Sequence, residues 1–270
     1  KFDYQSPAEL FMAKRKGGAR QPLGYRRFGT AAEAIRFAVE EFPAVRTLGA
    51  WLQIGDERYD ADVAYVAISE ADRHPALRYA ATIHHGIPVD QFPFDARGSD
   101  DLLFFGRIHP DKGAAEAIAA ARASGRAINL YGLVQDEGYR ANMVLPQLDD
   151  KRVRYHGTVG GAQRLHALGS ARALLHLINF EEPFGLSVVE AMACGTPVIA
   201  MRRGSMPELI EHGVNGFLVD SVEEAVAAID RVETLDRAQV RERVVQRFSV
   251  ERMADAYLQL YARIGSGGGI

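Results

Sequence analysis

The chain has 270 residues, 47% hydrophobic and 25% charged, with a formal net charge of −3. That length buries a substantial core in one large domain or two smaller ones, and the near-neutral balance excludes a global attraction to nucleic acid or to an anionic membrane surface. A single cysteine, Cys194, excludes an internal disulfide framework and fits a reducing compartment. No apolar run approaches the ~20 residues of a membrane span, and the opening Lys1-Phe2-Asp3-Tyr4 has no signal-peptide character. A cytoplasmic location without stable membrane insertion is therefore expected. The chain does not begin on methionine, so its natural start is expected outside this sequence.

Residues 1–62 read as a small α+β unit of unknown function. "YRRF" is a short strand, and "GTAAEAIRFAVEEFP" places a Thr30 cap before a helix with Ala34, Phe37, Ala38 and Phe42 on one face. "LGAWLQIGDERYD" then gives a strand, a Gly55-Asp56 turn and a second strand. The result is a βαββ unit too short for a deep cleft. Its basic cluster, Lys14, Arg15, Lys16, Arg20, Arg26 and Arg27, lacks an aromatic platform or a recognition-helix pattern. It reads as a solvated loop, with no nucleic-acid partner expected.

Residues 63–95 supply a strand, a short helical piece and a crossover strand that runs through His84-His85-Gly86-Ile87-Pro88 into a Pro-punctuated linker. From 96 to 264 the texture is regular. "LLFFG" (102–106), "INLYG" (128–132), "VRYHG" (153–157), "ALLHLI" (173–178), "PVIAM" (197–201) and "GFLV" (216–219) are each followed by roughly a helix length. Continuous apolar strands separated by helices are what a parallel sheet covered on both faces requires, so a doubly wound, Rossmann-like α/β domain is expected. Gly106, Gly132 and Gly157 close three strands at the ends where ligands of such sheets bind. A terminal helix over 249–264 carries Met253, Tyr257, Leu260 and Ile264 at helical spacing, and residues 265–270 are expected to be a disordered tail.

The stretch "EEPFGLSVVEAMACGTPVI" (181–199) puts carboxylates where a strand meets a helix. A helix starting near Gly185 leaves first-turn amides unpartnered and partly positive, and Gly185 removes the side chain that would block an anion or a sugar oxygen. Glu182 is placed to accept hydrogen bonds from sugar hydroxyls, and Glu190 lies about two turns further. Two acceptors so separated suit a hexose and a ribose with a diphosphate between them. The alternatives are that Glu182 complements the helix end and that Glu190 is solvated, although the apolar neighbours of Glu190 make an unpartnered carboxylate there costly. "GRIHPDKG" (106–113) adds Arg107, a bidentate fork, and Lys112, a mobile point charge, suited to neutralise a diphosphate; helix capping is the bland alternative.

Together "GRIHPDKG", "RYHGTV" and "EEPFGLSVVEAMACGTPVIAMRRGSMPELIEHGVNGFLV" resemble the carboxyl-terminal, nucleotide-sugar-binding half of family-4 retaining glycosyltransferases of the two-Rossmann GT-B class, over roughly residues 63–264. The resemblance implies a catalytic group of Glu182, Arg107 and Lys112, with the two cations on the diphosphate and Glu182 orienting the donor sugar. It implies donor contacts from Gly106, from backbone amides around Phe184, Gly185 and Leu186, from Glu190 on the ribose, and from Gly157, Thr158 and Val159 beside the base. It implies no cofactor and no metal, a nucleotide-diphosphate sugar as donor substrate, and an acceptor that the sequence does not identify. His84 and His85 face the cleft or serve as hinge residues without chemistry. His156 is structural or near the base, and Cys194 is a buried thiol.

Two departures matter. Gly204-Ser205 stands where the family often has paired glycines. The family's amino-terminal Rossmann domain needs on the order of 150 residues, whereas only its last strand and helix are matched here, by "VAYVAISEADRHP", after an unrelated unit. The chain thus reads as a truncated or recombined glycosyltransferase, a hexosyltransferase acting with retention, with a catalytically idle nucleotide-sugar-binding module as the alternative. A second copy or a partner completing the cleft is left open. A nicotinamide dehydrogenase is disfavoured because "FFGRIHPDKGAA" lacks Gly-x-Gly-x-x-Gly. Asp60-Ala61-Asp62 imitates the Asp-x-Asp metal site of other sugar transferases, but its place before the α/β domain makes it a coincidence.

Overall fold

A computed structural model describes residues 7–11, 25–30, 33, 51–54, 57–59, 65–75 and 77–265. Contacts divide the chain into two compact units, one of Lys1–Tyr65, Ala76–Ala80 and Ile264–Ile270, the other of Val66–Pro75 and Ala81–Arg263.

In the first unit, β1 (Ala8–Phe11), β2 (Tyr25–Phe28), β3 (Trp51–Ile54) and β4 (Glu57–Tyr59) form an antiparallel sheet in the order β2-β1-β3-β4. The βαββ reading thus gains a strand: β1, drawn from "AELF", pairs on both edges. Arg27 of the basic cluster lies opposite Glu9 and forms an ion pair with it at 3.2 Å. The Thr30 cap is a reciprocal box, with the Glu33 amide donating to Thr30 Oγ1 and the Thr30 amide donating to Glu33 Oε2, each at 3.2 Å. The helix face expected at Ala34, Phe37, Ala38 and Phe42, the Gly55-Asp56 turn, the Asp60-Ala61-Asp62 stretch, Lys14, Arg15, Lys16, Arg20 and the tail after Gly265 lie outside the described residues, as does the Arg26 side chain.

Short strands β5 (Tyr65–Ala67) and β6 (Tyr79–Thr82) pair with each other. Residues 68–75 are turns, not the short helix expected from the sequence. Ser69 Oγ accepts from the Asp72 amide at 2.9 Å, and so offers the backbone a local alternative to a helical ladder.

The second unit holds the six apolar runs as parallel strands β7 (Leu102–Phe105), β8 (Ile128–Tyr131), β9 (Val153–Tyr155), β10 (Leu174–His176), β11 (Val198–Met201) and β12 (Gly216–Val219). Their order is β12-β11-β10-β7-β8-β9. Every residue of β10, β11 and β12 is buried, which is why these strands read as continuous apolar runs rather than alternating ones. The chain winds outward from β7 through β8 to β9, then returns to the far side of β7 as β10. The right-handed crossover rule therefore sends the segment after β7 to one face of the sheet and the segment after β10 to the other. Between those two strand ends lies the topological switch point, where such sheets open a crevice.

Helices α1 (Ala114–Ala123), α2 (Gly161–Ser170), α3 (Leu186–Ala193), α4 (Met206–Leu209), α5 (Val222–Arg231), α6 (Arg237–Phe248) and, as far as Arg263, α7 (Val250–Gly265) belong to this unit, with α1 packed on α5 and α3 on α6. Cys194, just past α3, is buried, and burial pushes its thiol up to about 11, so it is unreactive at neutral pH. On α6 the buried Arg237 guanidinium donates to the carbonyls of Asp95, Ala171 and Gly169 and to Thr196 Oγ1 at 2.6–2.9 Å, which ties the linker at Asp95 to the end of α2 and to the turn before β11. Among the described residues no helix is long and apolar enough to cross a membrane.

One glycine decides how the two strand ends meet. Gly113, at φ +72°, closes the turn Pro110–Lys112, and a Cβ there would stand 1.8 Å from the Leu177 carbonyl oxygen at the end of β10. Gly113→Ala is expected to destabilise the protein by about 3 kcal/mol, strain and overlap combined. Urea unfolding checks this, and a loss under ~0.5 kcal/mol would show that the turn is not held against β10.

Candidate functional site

The site is built from the two segments that leave the switch point. After β7, Ile108 stays with the sheet through its amide, which donates to the Leu133 carbonyl at 2.9 Å. His109 Nδ1 then accepts from the Asp111 amide at 3.2 Å and caps a single turn that begins on Pro110. The exit of β10 holds this turn from the other side: the Asn179 amide donates to the Asp111 carbonyl at 2.7 Å, and Asn179 Nδ2 donates to the Pro110 carbonyl and to Glu116 Oε1.

Docked in this way, the turn delivers Lys112 to Glu182. Lys112 Nζ donates to Glu182 Oε2 at 2.5 Å and stands 4.3 Å above the Phe180 ring. Glu182 is 9% exposed, and His176 Nε2 lies 3.7 Å from the same carboxylate oxygen. Burial pushes the Glu182 carboxyl up, but the facing His176 and Lys112 outweigh that and hold it below the usual carboxylate range. Glu182 is therefore an anion at neutral pH.

The loop carrying Glu182 is locked by Gly204-Ser205. The Gly204 amide donates to Glu181 Oε2, the Ser205 amide to the Glu182 carbonyl at 2.9 Å, and Ser205 Oγ to the Phe184 carbonyl at 2.7 Å. A Cβ at Gly204, φ +54°, would lie 2.3 Å from both the amide and the carbonyl of Glu182. Glycine is thus required first, while the serine hydroxyl is used second. Beyond the loop, α3 begins after Gly185 with no side-chain cap, so the first-turn amides at Leu186 and Ser187 have no partner within the helix. Leu186 itself is exposed, beside these amides.

Other residues singled out by the sequence fall around this centre. Arg107 is exposed and donates to Gln135 Oε1 at 2.5 Å, on the β8 side, so the structure does not bring it onto Glu182 as it brings Lys112. Gly106 follows β7, and its amide donates to the Tyr131 carbonyl at 3.0 Å. The Gly157 carbonyl accepts from the Gly132 amide at 2.9 Å, and Thr158 and Val159 continue toward α2. His156 stacks on Tyr131 at 4.5 Å, with Nε2 2.8 Å from Asn129 Oδ1. Glu190, on α3, forms an ion pair with Arg164 of α2; burial pushes its carboxyl up, and Arg164 opposes this without cancelling it.

His84 and His85 both contact the buried Phe184, at 5.9 and 5.2 Å between ring centres. His84 Nε2 is 2.9 Å from Glu208 Oε2, and the same carboxylate accepts from the amides of Glu70 and Ala71 at 2.9 and 3.0 Å. Ser69 Oγ donates to the Pro183 carbonyl at 2.6 Å. Residues 69–71 and His84 are therefore held against the Glu182 loop and α4, with His84 as part of the clamp. Burial pushes the His85 imidazole down. Among the described residues no group of three or more His, Cys, Asp or Glu side chains could hold a metal ion.

Sequence reasoning missed Arg164, His176, Glu208 and Gln135. His176 alone carried a visible signal, an imidazole inside the apolar run "ALLHLI".

With this geometry in place, comparison with known proteins gives the following. The model of the family "Glycosyl transferases group 1" matches residues 91–247. The chain is 30% identical over 218 residues to D-inositol 3-phosphate glycosyltransferase of Mycolicibacterium smegmatis, which covers 77% of this chain and 48% of that protein. The chain thus spans about half the length of the curated relatives it matches. Among solved structures, AviGT4, a glycosyltransferase involved in avilamycin A biosynthesis, is 26% identical with a TM-score of 0.63, over 75% of this chain and 64% of its own. Anabaena Alr3699/HepE in complex with UDP and glucose shares the fold at 22% identity and a TM-score of 0.63, over 74% of this chain and 63% of its own.

Because the native Glu182 value lies below that of the unfolded chain, its contribution to stability is complete above the unfolded carboxylate range, 4.5, and disappears as pH falls through the lowered native value. The stability difference between wild type and Glu182→Gln is expected to be constant near neutral pH and to shrink on acidification, as measured by urea unfolding. In Lys112→Met the Glu182 carboxyl, left with one fewer cation, is expected to titrate at higher pH than in wild type, with about 3 kcal/mol of stability lost at neutral pH. Carboxyl carbon NMR reads the first; an unchanged titration would mean that the pair does not form in solution.

Proposed function

This chain belongs to the glycosyl transferases group 1 family, and from that premise we propose that it binds a nucleotide-diphosphate sugar across the β7–β10 switch point and transfers the sugar to an acceptor with retention of configuration, as a hexosyltransferase. The observation that carries this reading is the contact of Lys112 with Glu182, on segments leaving adjacent strands to opposite faces, beside the uncapped start of α3. One cation, one carboxylate and the two free amides of Leu186 and Ser187 are groups suited to hold a diphosphate joined to a polyol. The Anabaena neighbour, solved with UDP and glucose, gives the fold a precedent for such a donor.

In this reading Lys112 and the α3 amides take the charge that grows on the departing diphosphate, and the exposed Arg107 turns from Gln135 to join them. Preorganised donors of this kind stabilise the transition state because they need no reorganisation as charge develops. Glu182 acts through charge and orientation: its carboxylate, anionic at neutral pH, accepts donor hydroxyls and stabilises an oxocarbenium-like sugar, while the acceptor arrives on the face the leaving group departs from. Glu190, fixed by Arg164, accepts from the ribose, and Gly157, Thr158 and Val159 lie by the base. No metal or cofactor is assigned a role.

Titration calorimetry with UDP- and GDP-sugars tests donor binding. Lys112→Ala is expected to weaken the preferred donor about 100-fold, the equivalent of ~3 kcal/mol for one strong charged contact. Glu182→Ala is expected to lower kcat at least tenfold more than it weakens donor binding, the signature of an interaction used in the transition state. Equal affinities for wild type and Lys112→Ala would remove the phosphate role. Donor binding without turnover on any acceptor would overturn transfer and leave a binding module.

A further inference from the structure

The surroundings of His176 are unusual for an imidazole. It lies at the end of β10, where all three residues are buried, and it is 5% exposed. Its Nε2 is buried without a hydrogen-bond partner. A buried polar atom left in this state costs free energy that an aliphatic side chain in the same strand would not. The acceptor nearest to hand is Glu182 Oε2, 3.7 Å away, just beyond hydrogen-bond reach and already held by Lys112 at 2.5 Å.

Lys112 Nζ carries a single positive charge, and its hydrogen bond is to Glu182; a diphosphate, with more negative charge, competes for it. An ammonium drawn toward the diphosphate lengthens its contact with Glu182 and leaves a nearly buried carboxylate with a weakened closest partner. Such a carboxylate would take up a proton or swing away, and either change removes the fixed negative charge from the sugar site. His176 faces the same oxygen from the end of β10 at 3.7 Å, and a movement of about 0.5 Å brings it within hydrogen-bond distance.

We propose that His176 is a positioning residue for Glu182: its Nε2–H donates to the carboxylate and replaces Lys112 as the hydrogen-bond partner when Lys112 engages the donor's diphosphate. This role rests on the donor-binding reading given above. The imidazole itself does not touch the sugar; it keeps Glu182 charged and aimed through the exchange of partners.

Two measurements test it, and they fail independently of each other. In the donor-free full chain, 15N-histidine NMR follows His176, assigned by the signal missing from His176→Gln. Lys112→Met, which mimics the departure of the ammonium, is expected to shift the Nε2 resonance as the bond to Glu182 forms, and adding Glu182→Gln is expected to remove most of that shift. An Nε2 signal that is the same in all three proteins overturns the proposal whether or not the chain is a transferase. In steady-state kinetics, His176→Leu is expected to lower kcat about tenfold, the loss of one hydrogen bond to a charged group, with donor KM within about twofold of wild type. His176→Gln, whose amide N–H reaches toward the same oxygen, is expected to recover at least half of the activity. Equal impairment of Leu and Gln, or none in either, overturns the positioning role. A wild type that binds no nucleotide sugar sinks the donor reading instead, and the NMR comparison then decides His176 alone.

Discussion

The site depends on one ammonium and one carboxylate meeting across the point where a parallel sheet changes direction. Lys112 and Glu182 follow adjacent strands, β7 and β10, whose continuations diverge to opposite faces. The ion pair joins the two segments just after they leave the sheet. Forming such a pair requires both charges to give up water, so it is weak evidence for stability. What it secures is position. Gly113 lets the Lys112 turn touch the Leu177 carbonyl, Asn179 holds that turn from below, and Gly204-Ser205 clamps the Glu182 loop from the side. Each of these supports is a short-range steric or hydrogen-bonding constraint, and together they fix the backbone segments that carry Lys112 and Glu182.

Electrostatics around the pair set two nearby carboxylates apart. Glu182 stays ionised because His176 and Lys112 outweigh the cost of its burial, whereas Glu190, on the next helix with Arg164 as its cation, is pushed the other way. The two carboxylates therefore differ in the ease with which they take a proton, although both lie on one segment of nine residues. The start of α3 adds unpaired amides beside Glu182, which a cap side chain would otherwise have consumed.

Most of the larger fold was legible in the sequence because burial on both faces leaves a local mark. The six apolar runs of residues 102–219 became the six strands in one sheet, and the terminal helix was visible from Met253, Tyr257 and Leu260 at helical spacing. β1 was not legible, since four residues after a proline carry too little periodicity and their pairing partners lie 14 or more residues away. The helical piece expected near residue 70 failed for a different reason: Ser69 and Asp72 build a local turn that propensity does not register. Within the site, Glu182, Gly185 and Lys112 stand in motifs whose chemistry is local. Arg164, Glu208 and Gln135 do not, because each acquires its role from a partner brought near by the fold, such as Glu208 with the amides of residues 70 and 71. Arg107 shows the converse. Its five-residue separation from Lys112 suggested a joint cradle, yet the tertiary structure gives its guanidinium to Gln135.

A crystal structure of the chain grown with UDP-glucose tests the central claim most directly. The account predicts the diphosphate within hydrogen-bond distance of Lys112 Nζ and of the amides that open α3, with the Lys112–Glu182 contact lengthened and the sugar against Glu182. A diphosphate bound elsewhere, with that contact unchanged, would contradict it.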